Sequence, residues 1–575
     1  MKGMWGKILT IDLSNQKCEY EKLDENIYRK YLGGKGLGIY LLTERLKKNT
    51  HPLSPDNLFI IATGPATTTN VWGQNRYAVI SKSPATNGYG ESYCGGNLAP
   101  KIKGIGVDAI ILKGKAKDLT YLVLEENKVE FKSAKDIKGK LTNEAEKYML
   151  EQSPTGSGAM TIGPAGENLV ACAAIKSDIY RSIGRGGMGA VLGSKNIKGI
   201  VFCGNKKTPV HNQEMLKQLN LIVSNIGKES PVTPRYQKLG TPMQVEVLNM
   251  QKCFPTRYWS KGYHEKWKNI SAIHMQENFE LESMACPPCF LKCTKKSKIL
   301  HGRHKGLELE GPEFETIYAI GGLNELDSLE EVAYLNDLCD KLGIDTMSAG
   351  NLAGFATEAY KKGKSDFAID YNQPEKIATL FNMIANREGF GNILADGIKP
   401  ASEKLGLEDI AIHVKGLEPG GFDPRVLKGM GLSYATSPRG ACHLRGTFYK
   451  AELSGQMSPN QIQGKALLHI DYEDRAALFD SMILCRFYRD FILWNELAML
   501  IEGTMGFKYT KEELQDIANN ITQMTRKFNH REGLGPETDT LPKRFLEEKT
   551  AEGAALSRED LQIMLNEYNA IRDRI

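Results

Sequence analysis

Three cysteines fall within eight residues, Cys286-Pro287-Pro288-Cys289-Phe290-Leu291-Lys292-Cys293, and no other feature of the chain constrains its fold as much. Loops with two or three intervening residues let three thiolates converge on one metal site, and a cubane cluster needs a fourth from elsewhere. Cys289 and Cys293, four apart, can share one face of a helical turn. A distant segment must then fold back onto this run to complete the set. Three readings stand at this point: an iron–sulfur cluster, a zinc site with Cys or His in the fourth position, and three unrelated buried thiols. The spacing points to a metal without choosing it.

The cysteine count is eleven, and seven are scattered singly: Cys18, Cys94, Cys172, Cys203, Cys253, Cys339 and Cys442. An odd, dispersed set does not read as a disulfide framework, and each of the seven reads as a small buried hydrophobe. With 41% hydrophobic and 25% charged residues, a large core is expected and disorder is not. A net charge of +5 over 575 residues gives no reason to infer a nucleic-acid or membrane partner. The opening Met1-Lys2-Gly3-Met4-Trp5-Gly6 lacks the apolar core of a signal peptide. No run reaches the ~18–20 apolar residues of a membrane span; residues 491–501 are interrupted by Asn495 and Glu496. The expectation is a cytoplasmic protein of about three or four domains.

Residues 1–206 read as β-rich, with short apolar or β-branched runs at 7–13, 58–62, 78–81, 109–112 and 120–124. Ser14-Asn15 is a hairpin turn signal. From 207 onward the texture turns helical, with a further division near 415. Ser328-Leu329-Glu330-Glu331 is a capping box, and Gly343 is a natural stop for the helix it opens. Ser557-Arg558-Glu559-Asp560 starts a second such helix that the pattern extends toward Ile575. Two glycine-rich segments, Gly184 to Gly189 and Gly88 to Gly96, read either as tight turns or as backbone for an anionic ligand. Arg181 and Arg185 beside the first favour phosphate.

Several ordered motifs together resemble the tungsten-pterin aldehyde ferredoxin oxidoreductase family, almost end to end. They include Gly33-Gly34-Lys35-Gly36-Leu37-Gly38, Lys82-Ser83-Pro84, Gly163-Pro164-Ala165-Gly166-Glu167, the cysteine run, Gly311-Pro312-Glu313-Phe314-Glu315-Thr316 and Ser437-Pro438-Arg439-Gly440-Ala441-Cys442-His443. The resemblance implies an α+β fold. A β-rich domain that bases the pterins (1–206) precedes two mainly helical domains (207–415 and 416–575), with the cofactors at the domain interface. The family carries paired D-x-x-G-L-(D/C) motifs, one per pterin. Here they are Asp340-Lys341-Leu342-Gly343-Ile344-Asp345 and Asp480-Ser481-Met482-Ile483-Leu484-Cys485.

The resemblance makes Cys485 the fourth ligand of a [4Fe–4S] cluster with Cys286, Cys289 and Cys293. It places Arg76 between cluster and pterin, Gly95 and Tyr93 on a pterin face, and Asp340, Ile344, Asp345, Asp480, Leu484 and Arg486 around the pterins. Arg181, Ser182, Arg439, Arg445 and Gly446 would hold pterin and phosphate, with Mg2+ bridging two phosphates and tungsten or molybdenum at the centre. The chain departs from the common pattern in three places. Ile483 stands for glycine in the second motif and Arg486 follows Cys485 where many members carry Asp. Tyr93 stands where many have Asn, and Tyr334 where an acidic residue would help bind an intersubunit iron, so that iron is not expected.

The implied reaction is oxidation of an aldehyde to a carboxylic acid, with electrons leaving through the cluster to ferredoxin or a partner iron–sulfur subunit. Glu313 is the first candidate base and Glu315 the second, and His443 is the candidate donor to the carbonyl oxygen. An acyl-CoA reductase or a hydroxy- or oxoacid oxidoreductase on the same cofactors is the nearest alternative. A non-catalytic iron–sulfur electron-transfer subunit is a more distant one. Oligomeric state is left open, a homodimer among the options.

Overall fold

The computed structural model describes residues 1–572; residues 573–575, toward which the sequence pattern extends the last helix, lie outside the described residues. Two six-stranded mixed sheets make up the N-terminal part. The first comprises β1 (Lys7–Asp12), β2 (Lys17–Lys22), β3 (Phe59–Ala62), β4 (Tyr77–Lys82), β5 (Tyr89–Cys94) and β6 (Ala109–Lys113), in the order β2-β1-β6-β3-β4-β5. The second comprises β7 (Thr120–Glu125), β8 (Lys128–Ser133), β9 (Gly158–Ile162), β10 (Ile175–Ser177), β11 (Arg181–Ile183) and β12 (Ile197–Phe202), in the order β11-β10-β9-β12-β7-β8. All pairs are antiparallel except β1 with β6 and β7 with β12.

Alternation along the strands divides the core. Ile8, Ile60, Ile80 and Ile111 pack on one side with the helix Gly34–Arg45 and C-terminal helices. Leu9, Ile61, Val79 and Ile110 pack on the other, with Leu122, Ile200 and Phe202 of the second sheet. With apolar layers on both faces, the central strands β3 and β4 are buried throughout, and their sequences read as near-continuous apolar runs. The charged edge strand β2 is largely exposed, which discourages pairing with another chain.

Beyond β12 the chain is mainly helical, as expected, with one exception that carries the cysteines. β13 (Phe279–Met284), β14 (Thr294–Ile299) and β15 (Glu308–Glu310) form a three-stranded antiparallel sheet, and the cysteine run is the loop between β13 and β14. The helical turn expected for Cys289 and Cys293 is absent. Lys292, between the two cysteines, sits in the left-handed region at φ 46°, which breaks such a turn.

The helices Leu329–Leu342 and Lys465–Met482 end alike, each on a left-handed residue: Gly343 at φ 74° and Ile483 at φ 67°. For glycine this costs little; for a β-branched residue it costs about 1–2 kcal/mol. The Ile483 side chain lies in a notch between two glycines. A Cβ on either Gly34 or Gly64 would come within 2.7 Å of it. Truncating a buried isoleucine costs about 2–5 kcal/mol, so packing outweighs the backbone strain. Ile483→Gly is therefore expected to lose about 1–3 kcal/mol in denaturant unfolding, and Gly64→Ala should cost less in that background than in the natural chain.

Candidate active site

A cavity of about 330 Å³ lies where several stretches of chain meet, and Cys286, Cys289, Cys293 and Cys485 all line it. Gly73 ties the two cysteine segments together. Its N–H donates to the Pro288 carbonyl (3.4 Å), and its carbonyl accepts from the Cys485 N–H (2.8 Å). Tyr488 Oη donates to Cys289 Sγ at 3.3 Å, and Arg76 Nη2 to Cys485 Sγ at 3.5 Å. Burial pushes the Cys293 thiol up, reinforced by Glu313, Cys485, Cys289 and Cys286 around it. All four thiols are free of disulfides. Among the described residues no three His, Cys, Asp or Glu side chains stand close enough to share one ion, so the four thiols line a space instead of meeting at a point.

Beside the cavity lies a buried charge network. Lys35 Nζ and Arg445 Nη1 donate to Glu91 Oε1 at 3.0 and 2.9 Å, and Arg439 Nη1 donates to the Glu91 carbonyl at 2.7 Å. Arg445 also pairs with Asp480, which accepts from Arg486 Nη2 at 2.6 Å. Burial pushes the Glu91 carboxyl up, but Arg445, Lys35 and Arg439 outweigh it and hold the group far below the usual range. Tyr93 Oη donates to Glu91 Oε2 at 2.5 Å, and its ring lies 4.9 Å from the Arg445 guanidinium. Tyr93 and Arg486, two of the departures from the family pattern, thus belong to one network.

That network tests whether an anionic cofactor fits. Lys35, Arg445 and Arg486 share two carboxylates, Arg439 meets the Glu91 carbonyl and the Cys442 sulfur, and the Nε atoms of the three arginines are buried without a partner. A buried donor left unpaired costs about 1–3 kcal/mol. A phosphate or a pterin would supply the missing acceptors and charge, so the residues fit such a group. Gly95 keeps the wall thin where β5 nears the cysteines; a Cβ there would lie 3.2 Å from Cys286 Sγ.

The other expected cofactor residues divide into those on the cavity and those behind it. Asp340 lines it and accepts from Lys176 Nζ (2.6 Å) and Asn336 Nδ2 (3.0 Å); Ser182 shares the same lysine. Arg181 lines it and pairs with Glu310 at 2.9 Å. Ile344 lines it, as does Asp345, whose carboxylate caps the helix Thr346–Lys361 and pairs with Arg185 Nε at 2.9 Å. Arg439, Asp480, Leu484 and Gly446 do not line it; Gly446 packs against His469. Lys35, Glu91 and Lys176 escaped the sequence reading. Nothing in a sequence distinguishes a buried lysine or glutamate from the many solvated ones.

A second cavity, of about 170 Å³, shares Arg76, Glu313, Glu315 and Phe487 with the first and adds His443. His443 Nε2 lies 3.3 Å from Glu315 Oε1, and Glu315 Oε2 accepts from the Gly421 N–H at 3.0 Å. Burial pushes the Glu315 carboxyl up to about 8, against the pull of Gly421 and Arg185. Burial and then Arg439, Arg185 and Arg445 push His443 well below its usual range. At neutral pH the carboxyl is therefore mostly protonated and the imidazole neutral. Burial also raises Glu313, partly offset by the Thr241 hydroxyl bound to it. So the second-ranked glutamate, not the first, is the one beside the histidine.

Cys442 corrects a sequence expectation. It is buried, but it is not a plain hydrophobe: its sulfur accepts from Arg439 Nη2 (2.9 Å) and the Leu444 N–H (3.3 Å). Burial pushes the thiol up, yet Arg439 and Arg445 bring it down to about 7.

Four thiols lining one cavity, with a cluster of buried arginines beside it, suit a metal-dependent oxidoreductase. The sequence comparisons agree: the chain belongs to the aldehyde ferredoxin oxidoreductase family of tungsten oxidoreductases. The family's N-terminal domain matches residues 8–204, and its domains 2 and 3 match residues 219–573. The tungsten-containing aldehyde ferredoxin oxidoreductase of Pyrococcus furiosus is 35% identical, over 96% of this chain and 93% of its own. That of Thermococcus kodakarensis is 34% identical over the same shares. The WOR-like subunit of an aliphatic sulfonate oxidoreductase of Pyrococcus furiosus is 29% identical over 98% of this chain and 93% of its own. The active-site complex BamBC of benzoyl coenzyme A reductase superposes with a TM-score of 0.83 over 99% of this chain and 94% of that one. At 22% identity that likeness shows the fold alone. No described helix is long and apolar enough to cross a membrane.

Two measurements check this electrostatic picture. Tyr93→Phe removes the hydroxyl from Glu91 and should cost about 1–2 kcal/mol of stability. Glu315 keeps a proton in the folded protein that the unfolded chain gives up, so it weakens folding as pH rises from the carboxylate range toward about 8. Glu315→Gln should therefore gain on the natural chain by about 2–4 kcal/mol between pH 5 and pH 8. A difference in melting temperature that stays flat over this range would refute the protonated carboxyl.

Proposed function

We propose that the protein oxidises an aldehyde to a carboxylic acid at a tungsten or molybdenum bis-pterin centre. Two electrons then pass singly through one [4Fe–4S] cluster to ferredoxin or a partner iron–sulfur protein in the cytoplasm. The observation that carries this reading is the adjacency of the thiol-lined cavity and the acid–imidazole end, joined through Arg76, Glu313, Glu315 and Phe487. Cys286, Cys289, Cys293 and Cys485 would hold the cluster. Arg76, Arg181, Ser182, Asp340, Asp345 and Gly95 would face the pterins, and the surplus charge of Arg439, Arg445 and Arg486 would balance them. Mg2+ would accompany the pterins, and Tyr93 would not offer it a hydroxyl, which is committed to Glu91. When bound, the metal–pterin centre supplies the two-electron redox chemistry and the cluster the one-electron exit.

The chain's own groups handle protons and position. A neutral His443 can donate a hydrogen bond to the carbonyl oxygen without carrying a charge into the site. Glu313 and Glu315, both raised by burial, are strong bases once ionised and can accept the protons that the oxidation releases. The apolar wall of the second cavity keeps bulk water from the reacting carbon. Its modest size and the commitment of Arg76 and Arg486 to Cys485 and Asp480 favour a small aldehyde over an acyl-CoA thioester.

Anaerobically purified protein is expected to contain tungsten or molybdenum together with about four irons per chain, and to reduce a viologen with an aldehyde. Iron and sulfide with neither heavy metal nor pterin, after expression with both metals supplied, would favour a non-catalytic electron carrier. His443→Asn and Glu313→Gln should each lower turnover by about 10²–10⁴-fold with metal content unchanged. Undiminished activity would remove the residue concerned from the mechanism.

A further inference from the structure

Five aromatic side chains line the second cavity, supplied by segments far apart in the chain. Phe422 stacks on Tyr449 with centroids 4.0 Å apart and planes 14° off parallel, and Phe314 meets Phe422 at 5.6 Å. Across the lining, Tyr236 lies against Phe487 at 4.9 Å. The His443 ring is 5.9 Å from Phe422, so the aromatic wall runs up to the acid–imidazole pair. Phe314, Phe422, Tyr449 and Tyr236 are buried and held by their neighbours. Phe487 is half-buried and belongs to both cavities.

Several polar groups on this wall are engaged by neighbours, while Gln244 Oε1, His443 Nδ1 and Arg486 Nε are buried without a partner. Tyr449 Oη accepts from Arg489 Nη2 at 3.3 Å, Arg486 is bound to Asp480, and Thr241 to Glu313. What remains is a preformed slot in which five aromatic rings supply most of the apolar surface. Such surfaces favour a flat π-system, through offset stacking and edge-to-face contact, over a saturated group of equal carbon count. An anionic substituent would share the lining with Glu313 and Glu315 and find Arg486 Nη2 already bound to Asp480.

We propose that this slot selects flat, uncharged aromatic aldehydes, with Phe487 and Tyr236 as the specificity-determining pair at its junction with the metal-side cavity. The proposal rests on the reading that the site oxidises aldehydes and goes further by naming their class. A ring seated between the two aromatic pairs would direct its formyl carbon toward the Glu313, Glu315 and His443 end. No group is transferred beyond the oxidation already described.

The test compares benzaldehyde with cyclohexanecarbaldehyde, which has the same number of carbons, and with glyoxylate, which carries a charge. Benzaldehyde is expected to have a kcat/KM at least about tenfold above either. In Phe487→Leu and Tyr236→Leu the benzaldehyde-to-cyclohexanecarbaldehyde ratio should fall severalfold, a change in which the aldehydes' intrinsic reactivities cancel. A second arm needs no turnover. Benzoate should bind the purified natural protein about tenfold more tightly than cyclohexanecarboxylate in a calorimetric titration, and this preference should shrink in the same variants. Equal kinetics for the two ring aldehydes, a preference for glyoxylate, or equal binding of the two acids would each overturn the aromatic slot. Failure to oxidise any aldehyde by protein loaded with metal would overturn the proposed reaction instead, and the binding arm would still decide the slot.

Discussion

Lys35, Arg439, Arg445 and Arg486 bring four positive charges into the interior around Glu91 and Asp480, and much of the molecule is arranged to make that tolerable. Charges leave water only at considerable cost, which is recovered when each ion meets well-placed partners. Here the recovery needs several segments at once. Glu91 comes from β5, Lys35 from the helix under the first sheet, Asp480 from the end of the helix Lys465–Met482, and the arginines from the turns after Ser437 and Cys485. The N- and C-terminal parts of the chain are thereby locked together by electrostatics as much as by apolar packing. With more cations than carboxylates, and the Cys442 thiol only partly making up the difference, the network favours a further anion, which links folding to cofactor loading.

The two helix ends that deliver Asp340 and Asp480 show how one backbone solution is reached with different residues. Both helices finish on a left-handed residue, which turns the following segment toward the cavity. Gly343 does this with little strain, and Ile483 does it because Gly34 and Gly64 leave room for its side chain. The cost of the departure is therefore met by the glycine motif near the N-terminus. Two positions far apart in sequence have become a single structural feature.

At the reactive end, burial sets the chemistry. Glu313, Glu315 and His443 all move toward their neutral forms, because the low-dielectric wall penalises charge and the nearby arginines penalise a second cation. Cys442 moves the other way, since two arginines and a backbone N–H favour its thiolate. Cys442 and His443 share Arg439 and Arg445 as charged neighbours, and they differ because a thiol ionises to an anion and an imidazole to a cation.

Much of the fold class was legible in the sequence. The short runs in residues 1–206 have the period and length of strands, and the structure places β1, β3, β4, β6 and β7 within a residue or two of them. The capping box at Ser328 and the stop at Gly343 bound a helix as read. Local chemistry suffices for such features, since alternation, capping and turn propensity act over a few residues. The cysteine run demanded a distant partner, but only its ordered company of motifs named Cys485. The run's own shape was not legible, because left-handed backbone at Lys292 breaks the helical turn that the spacing allowed. What the tertiary structure alone decided is which groups are buried beside which. That Gly73 joins the cysteine run to Cys485, that Glu315 and not Glu313 meets His443, and that the Cys442 sulfur faces two arginines are all long-range facts. Desolvation and charge pairing depend on distances through space, and the order of residues along the chain does not contain them.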